Sequence, residues 1–182
     1  MPCVTTYSGK SIDLAKPDPT LICINDIAHQ LSLINRFNGA TEYPYSVAQH
    51  SVIVSKIVRP EFALLGLLHD AAEAYLGDIV HPVKQSIGNF FGDFERPLLD
   101  VILTKYSVDL DFNVGLAAQW CVDSADMQAR ATEFRDLFET PQKRDDLPEP
   151  LDCQIVPESY VRARKMFLNR FHYLTDGRFE SE

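Results

Sequence analysis

Paired cysteines, positive charge and long apolar runs are all scarce in this sequence, and each scarcity narrows what the chain can be. Its cysteines, Cys3, Cys23, Cys121 and Cys153, include no Cys-x-x-Cys pair. That argues against zinc-finger and thioredoxin-type chemistry and predicts free thiols in a reducing cytoplasm. Lysine and arginine number 17 against 26 aspartates and glutamates, a net charge of −9. A surface so poor in positive charge suits neither nucleic acid nor an anionic membrane. A small phosphorylated substrate needs only a local cation and one or two basic side chains, so that class stays open. No apolar run is long enough to cross a bilayer, and no signal-peptide pattern is recognisable. Repeats and low-complexity tracts are also missing.

What is there suits one ordinary globular domain. With 182 residues, 46% of them apolar, the chain can build a full core without disulfide staples. Residues 1–24 carry Gly9, Pro17 and Pro19 and little periodicity. They predict an extended arm or short hairpin, with a brief strand over Val4–Tyr7. Asn25 or Asp26 is the expected N-cap of a helix whose face is Ile27, Leu31 and Ile34 and which ends near Arg36. Asn38-Gly39 breaks it, and Ala40–Tyr45 reads as a loop. Ser46 is the expected cap of a helix over 47–58, with Val47, His50, Val54 and Ile57 on one face. Pro60 separates it from a helix over 61–76, which Gly77 stops.

After a loop over Asp78–Lys84, a helix is expected over 87–106, with Pro97 placed in a helix first turn. A long helix over 114–139 shows Leu116, Trp120, Met127, Phe134 and Leu137 along one side. Thr140–Pro157 carries four prolines and reads as a surface excursion. A last helix, 157–174, spaces Tyr160, Arg164, Phe167 and Phe171 for one face. The expected fold is all-α: a helical core over 25–140, a C-terminal helix over 157–174 and an irregular N-terminal arm, in one domain over 1–182.

The stretch from Leu67 to Asp78, LLHDAAEAYLGD, holds the clearest chemical signal. An apolar helix places His69 and Asp70 side by side, and Glu73 follows at helical spacing from both. Imidazole and carboxylate groups on an otherwise apolar helix are costly to bury unless something binds them. A divalent cation is the simplest partner. His50 sits on a core-like helix that can lie beside His69-Asp70. A fourth ligand has to come from a later helix, where Asp126 is the first candidate and Asp123 the second. Such a mixed nitrogen and oxygen set suits Mn²⁺, Co²⁺, Fe²⁺, Ni²⁺ or Zn²⁺, with positions left for water and substrate. His29, His81 and His172 read as structural.

The order His50, His69-Asp70, Asp126 resembles the HD superfamily of metal-dependent phosphohydrolases. Leu33-Ile34-Asn35-Arg36-Phe37, Ser46-Val47-Ala48-Gln49-His50-Ser51, His69-Asp70-Ala71-Ala72-Glu73, Gly77-Asp78 and Pro82-Val83-Lys84 resemble the bacterial 5′-deoxynucleotidases of that superfamily. Thr5–Gly9 and Pro17-Asp18-Pro19 look more like short phage-encoded HD proteins, some of which are dATP triphosphohydrolases. The likeness implies an HD-domain helical bundle in which His50, His69, Asp70 and Asp126 hold the metal, with Mg²⁺ as a possible second ion.

It further implies that Arg36 and Lys84 contact substrate phosphate. Phe37 would lie near the sugar, at a place where the nucleotidases often have Trp. Glu73 and Asp78 would be the acid/base and water-orienting carboxylates. The implied reaction is attack of metal-activated water on the α-phosphorus of dATP, releasing deoxyadenosine and triphosphate. Two other readings stay open: a 5′-deoxynucleotidase acting on monophosphates, and a non-catalytic nucleotide sensor that keeps the metal site. The resemblance also implies a homo-oligomer in the cytoplasm, that of a bacterial host if phage-encoded.

Overall fold

Helix dominates the computed structural model of the chain, which describes residues 3–87, 89–108, 112–142 and 144–179. The N-terminal arm is a small antiparallel hairpin of β1 (Cys3–Thr5) and β2 (Ser11–Asp13), with Val4 opposite Ile12. Gly9 takes the left-handed conformation its turn requires, at φ 80°. The hairpin is tied to the first helix by Asp26, whose carboxylate accepts from Ser8 N at 2.9 Å and Ser8 Oγ at 2.7 Å. That engagement removes Asp26 from the capping role predicted for it. Helix α1 (Ile24–Leu33) begins earlier instead, at Cys23, without a side-chain cap, and ends before Arg36.

Helix α2 (Val47–Ile57) starts where predicted, and Ser46 Oγ accepts from Gln49 N. Between α1 and α2 the chain makes a short 3-10 turn, Arg36–Gly39, in which Phe37 and Asn38 both have positive φ. The ends of this loop are clamped by an antiparallel bridge between Asn35 and Ser46, with Arg36 N bonded to Tyr45 O and Val47 N to Ile34 O.

The helix expected over 61–76 is broken. Pro60–Phe62 is a 3-10 turn, followed by α3 (Ala63–Leu68), a turn over His69–Ala72, and α4 (Glu73–Leu76). Backbone bonds tighten there to i−3 partners, Ala71 N to Leu68 O and Glu73 N to Asp70 O. The His69 ring lies 2.9 Å from the Gly66 carbonyl and competes with the ladder for it. Gly77, at φ 82°, stops α4 as expected.

Helix α5 (His81–Ile87) replaces part of the predicted Asp78–Lys84 loop, because Pro82 fits a first turn that needs no amide donor. Pro97 lies inside α6 (Asn89–Lys105) rather than in a first turn. The carbonyl it leaves without a helical partner belongs to Asp93, on the exposed side, where water can serve it. Gly88, within the helix predicted from 87, lies outside the described residues.

Over most of its length helix α7 (Phe112–Asp136) turns inward a different face from the one predicted, although Phe134 is half-buried and Leu137, just past its end, is buried as expected. Leu116, Trp120 and Met127 are exposed, Trp120 by 73%, while Ala118, Val122, Ala125 and Ala129 are buried. Small side chains let α7 lie close to its neighbours, so they win the inner face over larger apolar ones. The segment after it is pinned by Arg135, which donates to Leu151 O and Cys153 O, and by Ile155 N on Asp136.

Ser159 caps α8 (Tyr160–Leu174), whose Phe167 and Phe171 are fully buried while Tyr160 is exposed. Helix α2 lies at the centre, against α1, α3, α7 and α8. Each fully buried Phe or Leu of that core stabilises the fold by about 1.5–3 kcal/mol. The approach of α3 to α2 is tight at Gly66, where a Cβ would meet Val58 Cγ1 at 3.0 Å and Ser55 Cα at 3.3 Å. All four cysteines are free. Among the described residues, no helix is long and apolar enough to cross a membrane.

Candidate metal centre

Three elements deliver the candidate ligands. His50 comes from the fourth position of α2, His69 from the end of α3, and Asp126 from the middle of α7. One atom from each, His50 Nε2, His69 Nε2 and an Asp126 oxygen, lie within 4.8 Å of one another. His50 Nε2, His69 Nε2 and Asp126 Oδ1 are also buried and make no well-formed hydrogen bond among the described residues, although His50 Nε2 stands only 3.1 Å from Asp126 Oδ1. Convergent buried atoms of this kind are costly to leave unmatched. Asp70 adjoins them, with Oδ2 3.1 Å from His69 Nε2 and 3.7 Å from His50 Nε2.

The second ring nitrogens are engaged elsewhere, His50 Nδ1 with Glu133 at 2.7 Å and His69 Nδ1 with Gly66 O at 2.9 Å. In the neutral rings those bonds place the hydrogen on Nδ1 and leave both Nε2 lone pairs aimed inward. Asp126 is similarly divided: Arg130 donates to Oδ2 at 2.7 Å, leaving Oδ1 to the site. Donor chemistry, buried atoms short of well-formed hydrogen bonds and spacing therefore fit a divalent cation held by His50, His69 and Asp126, with Asp70 beside it. Asp123, the second candidate, is exposed on the outer face and bonded to Gln119.

The electrostatics point the same way. Burial and the Arg36 guanidinium oppose charge on the His50 ring, but Glu133 and Asp126 outweigh them and raise its pKa to about 9. Burial penalises the Asp70 and Asp126 carboxylates, and the histidines around them, with Arg36 for Asp126, more than reverse it, so both stay well below the usual carboxylate range. A pocket that holds acids ionised and draws a proton onto imidazole is one that attracts positive charge.

Arg36, Glu73, Asp78 and Lys84 gather around this centre, and Phe37 lies beside Arg36. Arg36 is buried, with Nη1 3.6 Å from Asp70 Oδ2 and Nη2 3.9 Å from Asp126 Oδ1. Glu73 is buried one turn past Asp70, and its Oε2 has no partner among the described residues. Burial, then the neighbouring Asp70 and Asp78 carboxylates, push its acid well above the usual range. Asp78 is half-buried and shifted upward by burial and by Asp70, with Arg36 and Lys84 opposing. Lys84 Nζ sits 3.5 Å from Glu73 Oε1 and 2.8 Å from Glu95 Oε1. Phe37 holds a left-handed conformation, uncommon for a bulky residue, and its ring rests against Phe134 and Phe138.

Of the remaining histidines, His29 stacks on Tyr7 at 3.7 Å, away from the centre. His172 lies beside Phe171, and the side chain of His81 is outside the described residues.

Sequence reasoning missed Glu133. It is fully buried and binds His50, Tyr45 and Arg36 together. The available signal was its spacing: Glu133 lies seven residues after Asp126, two helical turns on and on the same face.

No family model matches the chain. It is similar to the uncharacterized protein YfdR of Escherichia coli (strain K12), 35% identical over an alignment of 182 positions that covers 98% of each chain. It is also similar to the uncharacterized protein RCAP_rcc00048 of Rhodobacter capsulatus, 37% identical over an alignment of 110 positions that covers 56% of each chain.

Proposed function

The chain belongs to the family of the Escherichia coli protein YfdR, and for it we propose, from its own site, an HD-type metal-dependent phosphohydrolase. Its substrates would be deoxynucleoside 5′-phosphates, with dATP first among them, and deoxyadenosine and triphosphate the products. The observation that carries this reading is the convergence of His50 Nε2, His69 Nε2 and Asp126 Oδ1, buried within 4.8 Å of one another and short of well-formed hydrogen bonds. Arg36 beside them and the neighbouring Glu73 and Asp78 supply what cation binding alone would not require.

When bound, a divalent cation supplies Lewis acidity toward a phosphoryl oxygen. The chain's own residues do the rest. Arg36 presents a guanidinium to the α-phosphate and neutralises charge that builds on its oxygens. Lys84, held by Glu73 and Glu95, offers a second positive group at the same rim. Water attacks phosphorus as the bond to the 5′-oxygen breaks. Glu73 and Asp78 between them accept the water's proton and return one to the departing 5′-oxygen. The Phe37 ring, backed by Phe134 and Phe138, gives the sugar a flat wall that selects deoxyribose by leaving no room for a 2′-hydroxyl. The exposed Leu116, Trp120 and Met127 on α7 are apolar area of the kind a homo-oligomer covers.

The test is incubation with Mn²⁺, Co²⁺, Zn²⁺ or Mg²⁺ and a panel of dNTPs, dNMPs and rNTPs, with chromatographic separation of products. Deoxyadenosine and triphosphate from dATP, lost in His69→Ala and Glu73→Ala, are expected. Turnover of monophosphates alone would transfer the assignment to a 5′-deoxynucleotidase. Tight nucleotide binding without product under every metal would overturn the catalytic roles of Glu73 and Asp78 and favour a sensor.

A further inference from the structure

We propose that Glu133 is a positioning residue that sets the coordinating tautomer of His50 and the pose of Arg36 with one carboxylate, so that cation binding and phosphate recognition are coupled through it. The inference rests on the cation site proposed above and adds to it how that site is kept in register.

Glu133 is fully buried, and both of its oxygens are occupied. Oε1 accepts from the Tyr45 hydroxyl at 3.0 Å and lies 2.7 Å from His50 Nδ1. Oε2 accepts from Arg36 Nε at 3.2 Å and stands 3.1 Å from Arg36 Nη2. An ionised carboxylate only accepts, so His50 Nδ1 must carry the hydrogen of that bond. In the neutral ring this leaves Nε2 with its lone pair toward His69 and Asp126. The Arg36 guanidinium, which only donates, is held on the other oxygen, and its free edge faces Asp70 and Asp126. The three groups bound by Glu133 come from the turn after α1, the residue before Ser46 and the first turns of α2. One side chain of α7 therefore aligns three side chains that the Asn35–Ser46 bridge brings near one another only through the backbone.

A glutamine at 133 exposes the logic. Its amide has one accepting oxygen and one donating nitrogen. Arg36 can only donate, so the oxygen must face Arg36 and the nitrogen must face His50. His50 Nδ1 then accepts, its hydrogen moves to Nε2, and that atom can no longer bind a cation. If Arg36 is replaced by methionine, the amide is free to turn its oxygen to His50 and restore the coordinating tautomer. Loss of negative charge at 133 would weaken cation binding in both backgrounds, whereas loss of the tautomer is rescued in one.

Co²⁺ titration followed by visible absorption reads affinity and ligand field without any assay of activity. The wild-type protein is expected to bind Co²⁺, and Glu133→Gln to bind at least about tenfold more weakly with altered absorption bands. Arg36→Met/Glu133→Gln is expected to return to within about threefold of Arg36→Met alone. A Glu133→Gln variant that binds like wild type, or a double variant as weak as Glu133→Gln itself, would overturn the proposal while leaving the cation site intact. Wild-type protein that binds no Co²⁺ would instead sink the phosphohydrolase reading, and this one with it. A measurement that needs no variant decides the matter if Glu133→Gln fails to fold. In the Zn²⁺-loaded wild-type protein, long-range ¹H–¹⁵N spectra should show His50 protonated at Nδ1 and coordinating through Nε2. The reverse tautomer would refute the role given to Glu133.

Discussion

Helix α2 faces two surroundings built on opposite principles. Val47, Ala48 and Val52 join one apolar cluster with Leu31, Leu67, Phe167 and Phe171, all buried. His50, on the same helix, meets Glu133, Asp126 and Asp70 within 3.7 Å. The apolar cluster gains its stability from area removed from water, which has no preferred direction. The polar centre depends on particular atoms being opposite one another, and in a dry interior an unmatched charge is expensive. The first should therefore tolerate changes of shape that keep volume, and the second should not tolerate even small changes of donor and acceptor.

The sharpest way to break that contrast is Glu133→Ala. It leaves Arg36, His50 and Tyr45 without their shared acceptor, and urea unfolding should show a loss of about 3–5 kcal/mol. Next is the cation itself. Mn²⁺ or Co²⁺ at 100 times its dissociation constant should stabilise the fold by about 2.7 kcal/mol. Calorimetry should then show the melting temperature rising by roughly 5–10 °C for a chain of this size, and not in His69→Ala.

Gly66→Ala probes the seam between the two regimes. The new methyl would press on Val58 and on the Ser55 backbone and should cost about 1–3 kcal/mol. Adding Val58→Ala should recover part of that loss, because the nearer contact is to a side chain. Phe171→Leu, wholly within the apolar cluster, leaves a small void and should cost less than the roughly 3 kcal/mol at which full Phe truncations begin, with Co²⁺ affinity unchanged. Smallest of all, Leu116→Gln on the outer face of α7 should alter unfolding free energy by no more than about 0.5 kcal/mol. A Phe171→Leu variant that lost cation binding, or a Glu133→Ala variant as stable as wild type, would dissolve the distinction between the two sides.

The same contrast explains what could be read from residues alone. Ser46 and Gly77 declare helix ends through local chemistry, and the structure has them there. His50, His69 and Asp70 stood out because charged and imidazole groups are rare on apolar stretches, Asp126 because its place after them resembles the HD order, and the fold brings the four together. The inner face of α7 was misread because large apolar residues suggest burial more strongly than alanines do. In contact with a crowded centre, however, the small ones go inside. The break after Leu68 was invisible because it depends on competition for the Gly66 carbonyl from the His69 ring. Glu133 was overlooked because a glutamate on a long helix ordinarily faces water, and its three partners are 83 to 97 residues away in the chain.

The clamp between Asn35 and Ser46 has a consequence for how such a protein can diversify. Arg36 and His50 are fixed on either side of that bridge, and the intervening loop leaves and returns at a closed gate. Doubling the length of a flexible loop adds only about 0.6 kcal/mol to the free energy of closing it. Extra length among the exposed residues 38–40, ahead of the Glu42 N bond to Leu137 O, would thus leave the arginine and the histidine in place. New molecular tastes can be grafted there onto unchanged machinery.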